Sequence, residues 1–378
     1  MSNKRWYMLA LVILVSTSFM FSVQAAPPLI PAIINDFSLS YTTAAGIMLF
    51  VALPAMFLSI PGGFLADKYG NKRLSTIGLG LVCLGTFCTA IAPSFPLLQG
   101  GRVIVGIGGA LLRSAAPPLI FQWFRGKELG LAMGIWALNL PLATTLSFNL
   151  LGRAELAYGW RTGFWIATAF AITILILFTI FVEEKKVSRA IFSLSVLKKS
   201  PIWILAFIWG TFSMTTISLT TWGKTLFMEF KGIPPVQADF LASLLMLLGL
   251  VTPLTGYIAG RLGKPRLLIL LAIMVFITCL VILPGAGQAQ VTLLLVVLGI
   301  FTSLAPPCIF SLPPELVGQD NAGVGFGVLN ATQNFGIVIG PLLVGLVLDI
   351  TYNEMLVFFT MAFFAAIGLL FTFILKVR

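Results

Sequence analysis

Long apolar segments fill almost the whole chain, and short charged breaks separate them. Most segments have at least the roughly 20 residues that an α-helix needs to cross a bilayer. Prolines 306, 307, 313 and 314 interrupt the tenth segment. The pattern therefore predicts an all-α membrane protein with twelve transmembrane helices, at about 6–33, 42–62, 74–93, 97–120, 129–151, 161–182, 201–228, 236–259, 266–284, 290–311, 323–348 and 354–375.

The composition agrees with a membrane protein and excludes several kinds of site. Of the 378 residues, 59% are hydrophobic and only 9% are charged, whereas soluble domains average about a quarter charged residues. The chain has no histidine, so it lacks the usual metal ligand and the usual proton switch at neutral pH. No disulfide is expected either, because the four cysteines lie in apolar segments without CxxC spacing: Cys83, Cys88, Cys279 and Cys308. The sequence also predicts no metal site, no cofactor and no constellation of catalytic residues.

The basic residues are concentrated in alternate breaks. With the N-terminus in the cytoplasm, only six of the 23 Lys and Arg lie elsewhere, namely Arg102, Arg113, Arg153, Arg161, Lys224 and Lys231. This bias predicts cytoplasmic N- and C-termini in the inner membrane, with a retained first helix. The net charge of +11 then reflects topology. The expected partners are the bilayer and a small molecule, with no nucleic acid, and the expected state is a monomer.

Three internal matches recur at shifts close to a half or a quarter of the chain. They predict two pseudo-symmetric six-helix bundles, at 1–182 and 201–378, joined by a cytoplasmic linker at 183–200. Such an architecture places a substrate site at the midplane between the halves. The matched segments are Gly63–Arg73 with Gly256–Arg266, Ser114–Phe121 with Ser303–Phe310, and Ala25–Ile30 with Ala115–Ile120.

The segment GFLADKYGNKR resembles the loop signature GxLADRxGRKR of the major facilitator superfamily. The matching positions are Gly63, Leu65, Ala66, Asp67, Gly70, Lys72 and Arg73. Arg102, Gly106 and Gly108 similarly match the family's RxxxGxGxA pattern in the fourth span. The resemblance implies a secondary transporter that alternates between outward-open and inward-open states, with the first, fourth, seventh and tenth spans lining the cavity.

The same resemblance implies a conformational gate on the cytoplasmic side. Asp67, expected after a helix end, would face the positive N-terminus of the eleventh span and stabilise the outward-open state. Arg261 lies in the second copy of the signature, where Gly260 replaces the aspartate. The alternative is a merely solvated turn.

The fifth span departs from one branch of the superfamily. Its sequence GIWALNLPLATTL lacks the GxxxGPxxGG pattern of proton-coupled drug antiporters. It resembles instead the cyanate-permease-like and organic-anion permeases, in which GIW is followed by a proline, here Pro141.

Two arginines in the fourth span are the main candidates for substrate contact. Arg102 and Arg113 are eleven residues apart, about three turns, so they share one helix face with Gly106 and Gly109. Glycines are expected to leave that face open, and guanidinium groups there would bind a carboxylate or another oxyanion. Alternatively, Arg102 near the outer end snorkels to the interface or braces neighbouring helices, and Arg113 donates to carbonyls freed by Pro117 and Pro118.

Polar positions in two other spans complete the predicted substrate site. In the seventh span they recur at steps of three or four, at Ser213, Thr216, Thr220 and Lys224. In the eleventh span they are Asn330, Gln333 and Asn334, amides that are costly facing lipid. The alternatives are hydroxyls that bond to their own helix and amides that contact other helices.

The resemblance implies a secondary transporter, and the basic residues predict that its substrate is a small organic or inorganic anion. The alternatives are an exporter of hydrophobic or cationic compounds and a transport-dead membrane receptor. Acidic residues are expected only at span ends, so a buried proton carrier is not evident, although an acid such as Glu229 could couple transport to protons.

Overall fold

The computed structural model describes residues 2–124, 127–184, 200–318 and 322–375, which contain no strand. Twelve of its segments are long and apolar enough to cross a membrane, which confirms the predicted spans. Residues 185–199 of the predicted linker lie outside the described residues.

The first six spans contain these helices: Ser2–Gln24 and Ala26–Phe37; Tyr41–Tyr69; Asn71–Ala90; Phe95–Phe121; Lys127–Ala137, Asn139–Leu146, the π-helical Ser147–Leu151 and Gly152–Tyr158; and Trp160–Phe181. The last six contain Ser200–Glu229; Pro235–Leu248, the 3₁₀ turn Gly249–Val251 and Thr252–Leu262; Pro265–Ile282 and the 3₁₀ turn Leu283–Gly285; Gln288–Thr302, Ala305–Ser311 and Pro313–Val317; Ala322–Thr351; and Glu354–Ile374.

The second span runs further than the apolar pattern predicts. It continues through Pro54 and Pro61 to Tyr69, so most of the signature is helical and Gly70, with φ of 90°, makes the turn. The expectation that Asp67 follows a helix end is therefore wrong, since Asp67 lies in the last turn. The side chain of Asp67 and residues 319–321 before the eleventh helix lie outside what the structure describes, so the gate contact stays a prediction.

The chain divides into two compact units with the same internal packing. The first comprises Met1–Leu39 and Gly46–Arg189, and the second comprises Ser40–Ala45 and Ala190–Arg378. Inside the first unit, the first span packs on the fifth and sixth, and the third on the fourth and sixth. Inside the second unit, the seventh packs on the eleventh and twelfth, and the ninth on the tenth and twelfth. Each pair recurs six spans later, which confirms the two pseudo-symmetric six-helix bundles.

Reciprocal glycine contacts bring the third and fourth spans together. A Cβ added to Gly78 would lie 2.7 Å from the carbonyl oxygen of Gly108, and one on Gly85 would lie 2.6 Å from that of Gly101. In the second unit, a Cβ on Gly336 would lie 2.5 Å from the carbonyl oxygen of Gly210. Helices in a bilayer gain little from the hydrophobic effect, so such close backbone approach is a main source of their packing energy.

The glycine contacts predict a difference between two alanine substitutions in the third span. Gly85→Ala forces the third and fourth spans apart and lowers the free energy of unfolding by about 1–3 kcal/mol. Gly80→Ala is the matched control, because a Cβ there meets nothing within 4 Å and alanine favours helix by about 1 kcal/mol. Thermal unfolding of the detergent-purified variants should give a lower Tm for Gly85→Ala only. Equal Tm values would contradict the glycine contact.

Candidate functional site

Arg102 is completely buried inside the first unit, and its guanidinium donates to three backbone carbonyls. Nε donates to Ile47 at 3.2 Å, one terminal nitrogen to Ser22 at 2.8 Å, and the other to Val23 at 2.9 Å. Arg102 thus ties the fourth span to the first and second.

The first span needs these donors because its helix is interrupted at Ala25. Pro27 has no backbone N–H, so the carbonyl of Val23, four residues earlier, cannot make its helical hydrogen bond. Arg102 supplies the missing donor. We therefore assign Arg102 to bracing, the alternative that the sequence left open.

The helix face between the two arginines is packed rather than open. A Cβ on Gly106 would overlap the backbone of Val51, and one on Gly109 would overlap the ring of Phe19. The expectation of an open glycine face is wrong, because these glycines allow close packing within the first unit.

Arg113 lies further along the same helix and differs from Arg102 in exposure. It is about 16 Å from Arg102 by helical rise and remains partly exposed. Its helix continues through Pro117 and Pro118 to Phe121. Of the two arginines, Arg113 therefore keeps the accessibility that a substrate ligand requires.

The hydroxyls of the seventh span bond mainly to their own helix. Thr216 donates to the carbonyl of Phe212, and Thr220 to that of Thr216, both at 2.8 Å. Ser213 is buried as well. These bonds favour the alternative in which the stripe satisfies itself.

Lys224 forms an ion pair that the sequence did not predict. Its Nζ lies 3.1 Å from Oδ2 of Asp239 in the eighth span, and the two side chains are 2% and 3% exposed. Asp239 was expected at an outer end, and it does lie in the first turns of Pro235–Leu248, yet it is buried. The signal was available, since a lysine inside an apolar span needs a nearby carboxylate.

The three amides of the eleventh span differ in burial. Asn334 is 3% exposed, whereas Asn330 and Gln333 are partly exposed. Their role as substrate ligands stays a prediction.

Other acidic residues of the second unit bind groups near the ends of its helices. Glu229 accepts a hydrogen bond from the hydroxyl of Tyr41 at 2.6 Å. Asp349 accepts the backbone N–H groups of Tyr41 and Thr42 at 2.8 and 2.7 Å. These residues 41 and 42 begin the second span and belong to the second compact unit. Glu229 is thus engaged with a phenol.

A second ion pair lies in the same unit. Lys231 Nζ is 3.1 Å from Glu354 Oε1, with the side chains 10% and 15% exposed, and it also donates to the carbonyl of Pro284.

The turn of the signature is closed by a carboxylate that the motif does not contain. Glu184 accepts the backbone N–H groups of Asn71 at 2.6 Å and Lys72 at 3.2 Å. An anion at the first turn of a helix satisfies free N–H groups and complements the helix dipole.

The other residues of the two signature copies lie nearby in the sequence. Arg73 is exposed, and the guanidinium of Arg261 lies over the ring of Tyr257, 4.9 Å from the ring centre. A Cβ added to Gly63 would meet no other atom within 4 Å.

The described residues contain no group of three His, Cys, Asp or Glu side chains that could hold a metal ion.

The sequence is similar to several transporters. The lysosomal dipeptide transporter MFSD1 of Danio rerio is 25% identical over 346 residues, 84% of this chain and 75% of the relative. The multidrug resistance protein Stp of Mycobacterium tuberculosis is 26% identical over 348 residues, 75% of this chain and 65% of the relative. The hexuronate transporter of Bacillus subtilis is 23% identical over 349 residues, 85% of this chain and 82% of the relative.

The fold is similar to that of solved structures. A bacterial homolog of the human lysosomal transporter Spinster, in an inward-facing and occupied conformation, superposes with a TM-score of 0.79 at 17% identity. The match covers 98% of this chain and 96% of that chain. A family model described as the Major Facilitator Superfamily matches residues 12–341 and 232–378. The chain therefore belongs to the major facilitator superfamily and is a membrane transporter.

Proposed function

We propose that this chain is a secondary active transporter for a small organic anion that works by alternating access. The observation that carries the proposal is the contrast within the fourth span. Arg102 is completely buried and donates to three backbone carbonyls, whereas Arg113 is partly exposed. A guanidinium offers two parallel N–H donors that match a carboxylate.

Two of the relatives support a carboxylate substrate. Hexuronates and dipeptides both carry a carboxylate at neutral pH, and proteins named as their transporters resemble this chain. We further propose that the protein is a monomer in the cytoplasmic membrane, with both termini in the cytoplasm and without enzymatic activity.

An exporter of hydrophobic compounds is the second candidate. The resemblance to Stp favours it, as do the hydroxyls of Thr216 and Thr220, which their own helix satisfies. An apolar substrate would need no free donor from those residues.

The anion proposal predicts a selective loss of affinity on Arg113→Gln. At an effective dielectric of about 20, a unit anion about 4 Å from the guanidinium gains on the order of 4 kcal/mol before desolvation. A net loss of about 1–3 kcal/mol corresponds to roughly 5- to 150-fold weaker binding. Arg113→Lys should recover part of the affinity, since lysine keeps the charge and loses the planar fork.

Affinity and Tm measured on the same purified proteins distinguish binding from bracing. D-glucuronate, a monoanion at neutral pH, is a suitable probe. Arg102→Gln is the matched control, and it should lower Tm while the folded fraction keeps the parent affinity, because it leaves three buried carbonyls without their donor. If Arg113→Gln binds as tightly as the parent, Arg113 is not an anion ligand.

The proposed orientation predicts the accessibility of single cysteines. In a background without the four native cysteines, Cys at positions 68, 127, 185 and 264 should react only with a reagent added from the cytoplasm. Cys at position 153 is the control and should react from the opposite side. Reaction of positions 68 and 264 from opposite sides would contradict the proposed topology.

A further inference from the structure

The indole of Trp209 in the seventh span carries a hydrogen-bond donor that the described part of the chain does not use. Trp209 is 6% exposed, and its Nε1 has no hydrogen-bond partner among the described residues. The ring fixes the direction of an indole N–H, so this group cannot turn to a carbonyl of its own helix as a hydroxyl does. A buried donor without an acceptor costs free energy, and an acceptor that enters with a ligand removes that cost.

Other indoles of the protein do have acceptors. Trp222, on the same helix as Trp209, donates to the backbone carbonyl of Pro341 at 2.9 Å. In the first unit, Trp136 of the fifth span donates to the hydroxyl of Ser16 in the first span at 2.8 Å. The fold therefore supplies acceptors to indoles in both units, and Trp209 differs from these two.

The internal repeat shows how the second unit comes to lack this acceptor. The shift of 193 residues that relates the two copies of the signature also places Trp209 on Ser16 and Leu329 on Trp136. The indole of the second unit thus lies on the seventh span, and Leu329 has no side-chain acceptor for it. Since the first unit pairs its polar groups at the equivalent positions, the packing of these two spans does not itself require an unpaired indole.

Aromatic rings from three spans form a cluster with this indole. Phe212 stacks on Trp209, with the ring centroids 5.7 Å apart and 16° between the planes. Phe310 of the tenth span meets the indole edge-on, with a centroid distance of 4.9 Å, and Phe326 of the eleventh span lies 6.1 Å from Phe310. Phe310 and Phe326 are partly exposed. We call these four residues the Trp209 cluster.

The eleventh span connects the Trp209 cluster to positions that the sequence predicts as substrate ligands. Phe326, Asn330 and Gln333 recur at steps of four and three residues, so they share one helix face. All three are partly exposed. The cluster therefore adjoins the face that carries the two predicted amides.

The Trp209 cluster has no positive charge of its own. The described residues of the tenth and eleventh spans include no lysine or arginine, and Lys224 is 15 residues from Trp209, about 22 Å by helical rise. A buried carboxylate needs a compensating cation, which an indole does not supply. The N–H of Trp209 therefore suits an uncharged oxygen, and the rings suit an apolar face of the same molecule.

We propose that Trp209 is a substrate-binding residue that donates its indole N–H to a hydroxyl or carbonyl oxygen of the transported anion. Phe310 and Phe326 contact the apolar face of that molecule. The inference rests on the proposed transport of an organic anion and narrows its substrate class to carboxylates that carry a second, uncharged oxygen beside an apolar face, as a uronic acid does.

The test compares the calorimetric binding of two monoanions to the purified full chain at neutral pH. D-glucuronate has uncharged oxygens, and cyclohexanecarboxylate has the same charge and a ring of the same size without them. Trp209→Phe keeps an aromatic ring and removes the N–H. It should bind glucuronate about 2- to 10-fold more weakly than the parent, the effect of one lost hydrogen bond, and should bind cyclohexanecarboxylate as the parent does.

Trp222→Phe is the matched control on the same helix. It breaks the hydrogen bond to the carbonyl of Pro341, so it should lower Tm more than Trp209→Phe, which breaks no hydrogen bond among the described residues of the ligand-free protein. Trp222→Phe should keep the parent affinity for both anions.

The indole proton itself gives a direct signal. In protein with isotope-labelled tryptophans, the NMR resonance that disappears in Trp209→Phe belongs to Trp209. Glucuronate should move this resonance downfield, as a new hydrogen bond does, whereas cyclohexanecarboxylate should not. The resonance of Trp222, assigned in the same way, should stay in place with either anion.

The outcomes separate this inference from the proposed function. Parent-like glucuronate affinity in Trp209→Phe, or a Trp209 resonance that saturating glucuronate leaves in place, would overturn the role of Trp209 and leave anion transport standing. A Tm loss in Trp209→Phe as large as that in Trp222→Phe, with unchanged affinity, would assign Trp209 to packing alone. A parent that binds neither anion would overturn both proposals.

Discussion

Within the hydrocarbon core of a bilayer, the backbone polar groups of a membrane protein must find hydrogen-bond partners inside the protein, because the lipid tails offer none. Arg102 shows how strongly this constraint acts. The helix break before Pro27 and Pro28 frees backbone carbonyls, and the buried guanidinium of Arg102 binds the carbonyls on both sides of the contact between the first and second spans. Arg102 thereby links the fourth span to the first and second spans inside the first unit.

The same constraint distinguishes the candidate site residues from one another. Arg102 is completely buried and donates to three backbone carbonyls, as a bracing residue does. Arg113 is partly exposed, and its contact with substrate is a proposal. Lys224 and Asp239 are a third case, since they are buried side chains of opposite charge that lie 3.1 Å apart.

The sequence predicted the number and order of the spans well because bilayer thickness fixes their length. It missed the ends of the second and fifth spans by about seven residues, since a helix can continue past the apolar part of its sequence. It also predicted the two-bundle repeat from short matched segments.

The glycine face was mispredicted for a different reason. A helical pattern shows which residues share a face, but it does not show which neighbour, such as Phe19, packs against that face. The sequence did not identify the partner of Lys224, because Asp239 lies on the next span. The periodicity of one helix does not show which residues of two helices meet.

A counterflow screen tests the proposed carboxylate-selective transport site most directly. Purified protein would be reconstituted in proteoliposomes, loaded with a series of unlabelled organic anions or hydrophobic cations, and given the corresponding labelled compound outside. A transporter for organic anions should show transient accumulation of a labelled monoanion such as D-glucuronate, and Arg113→Gln should lose that accumulation. Accumulation of hydrophobic cations alone, unchanged by Arg113→Gln, would contradict it.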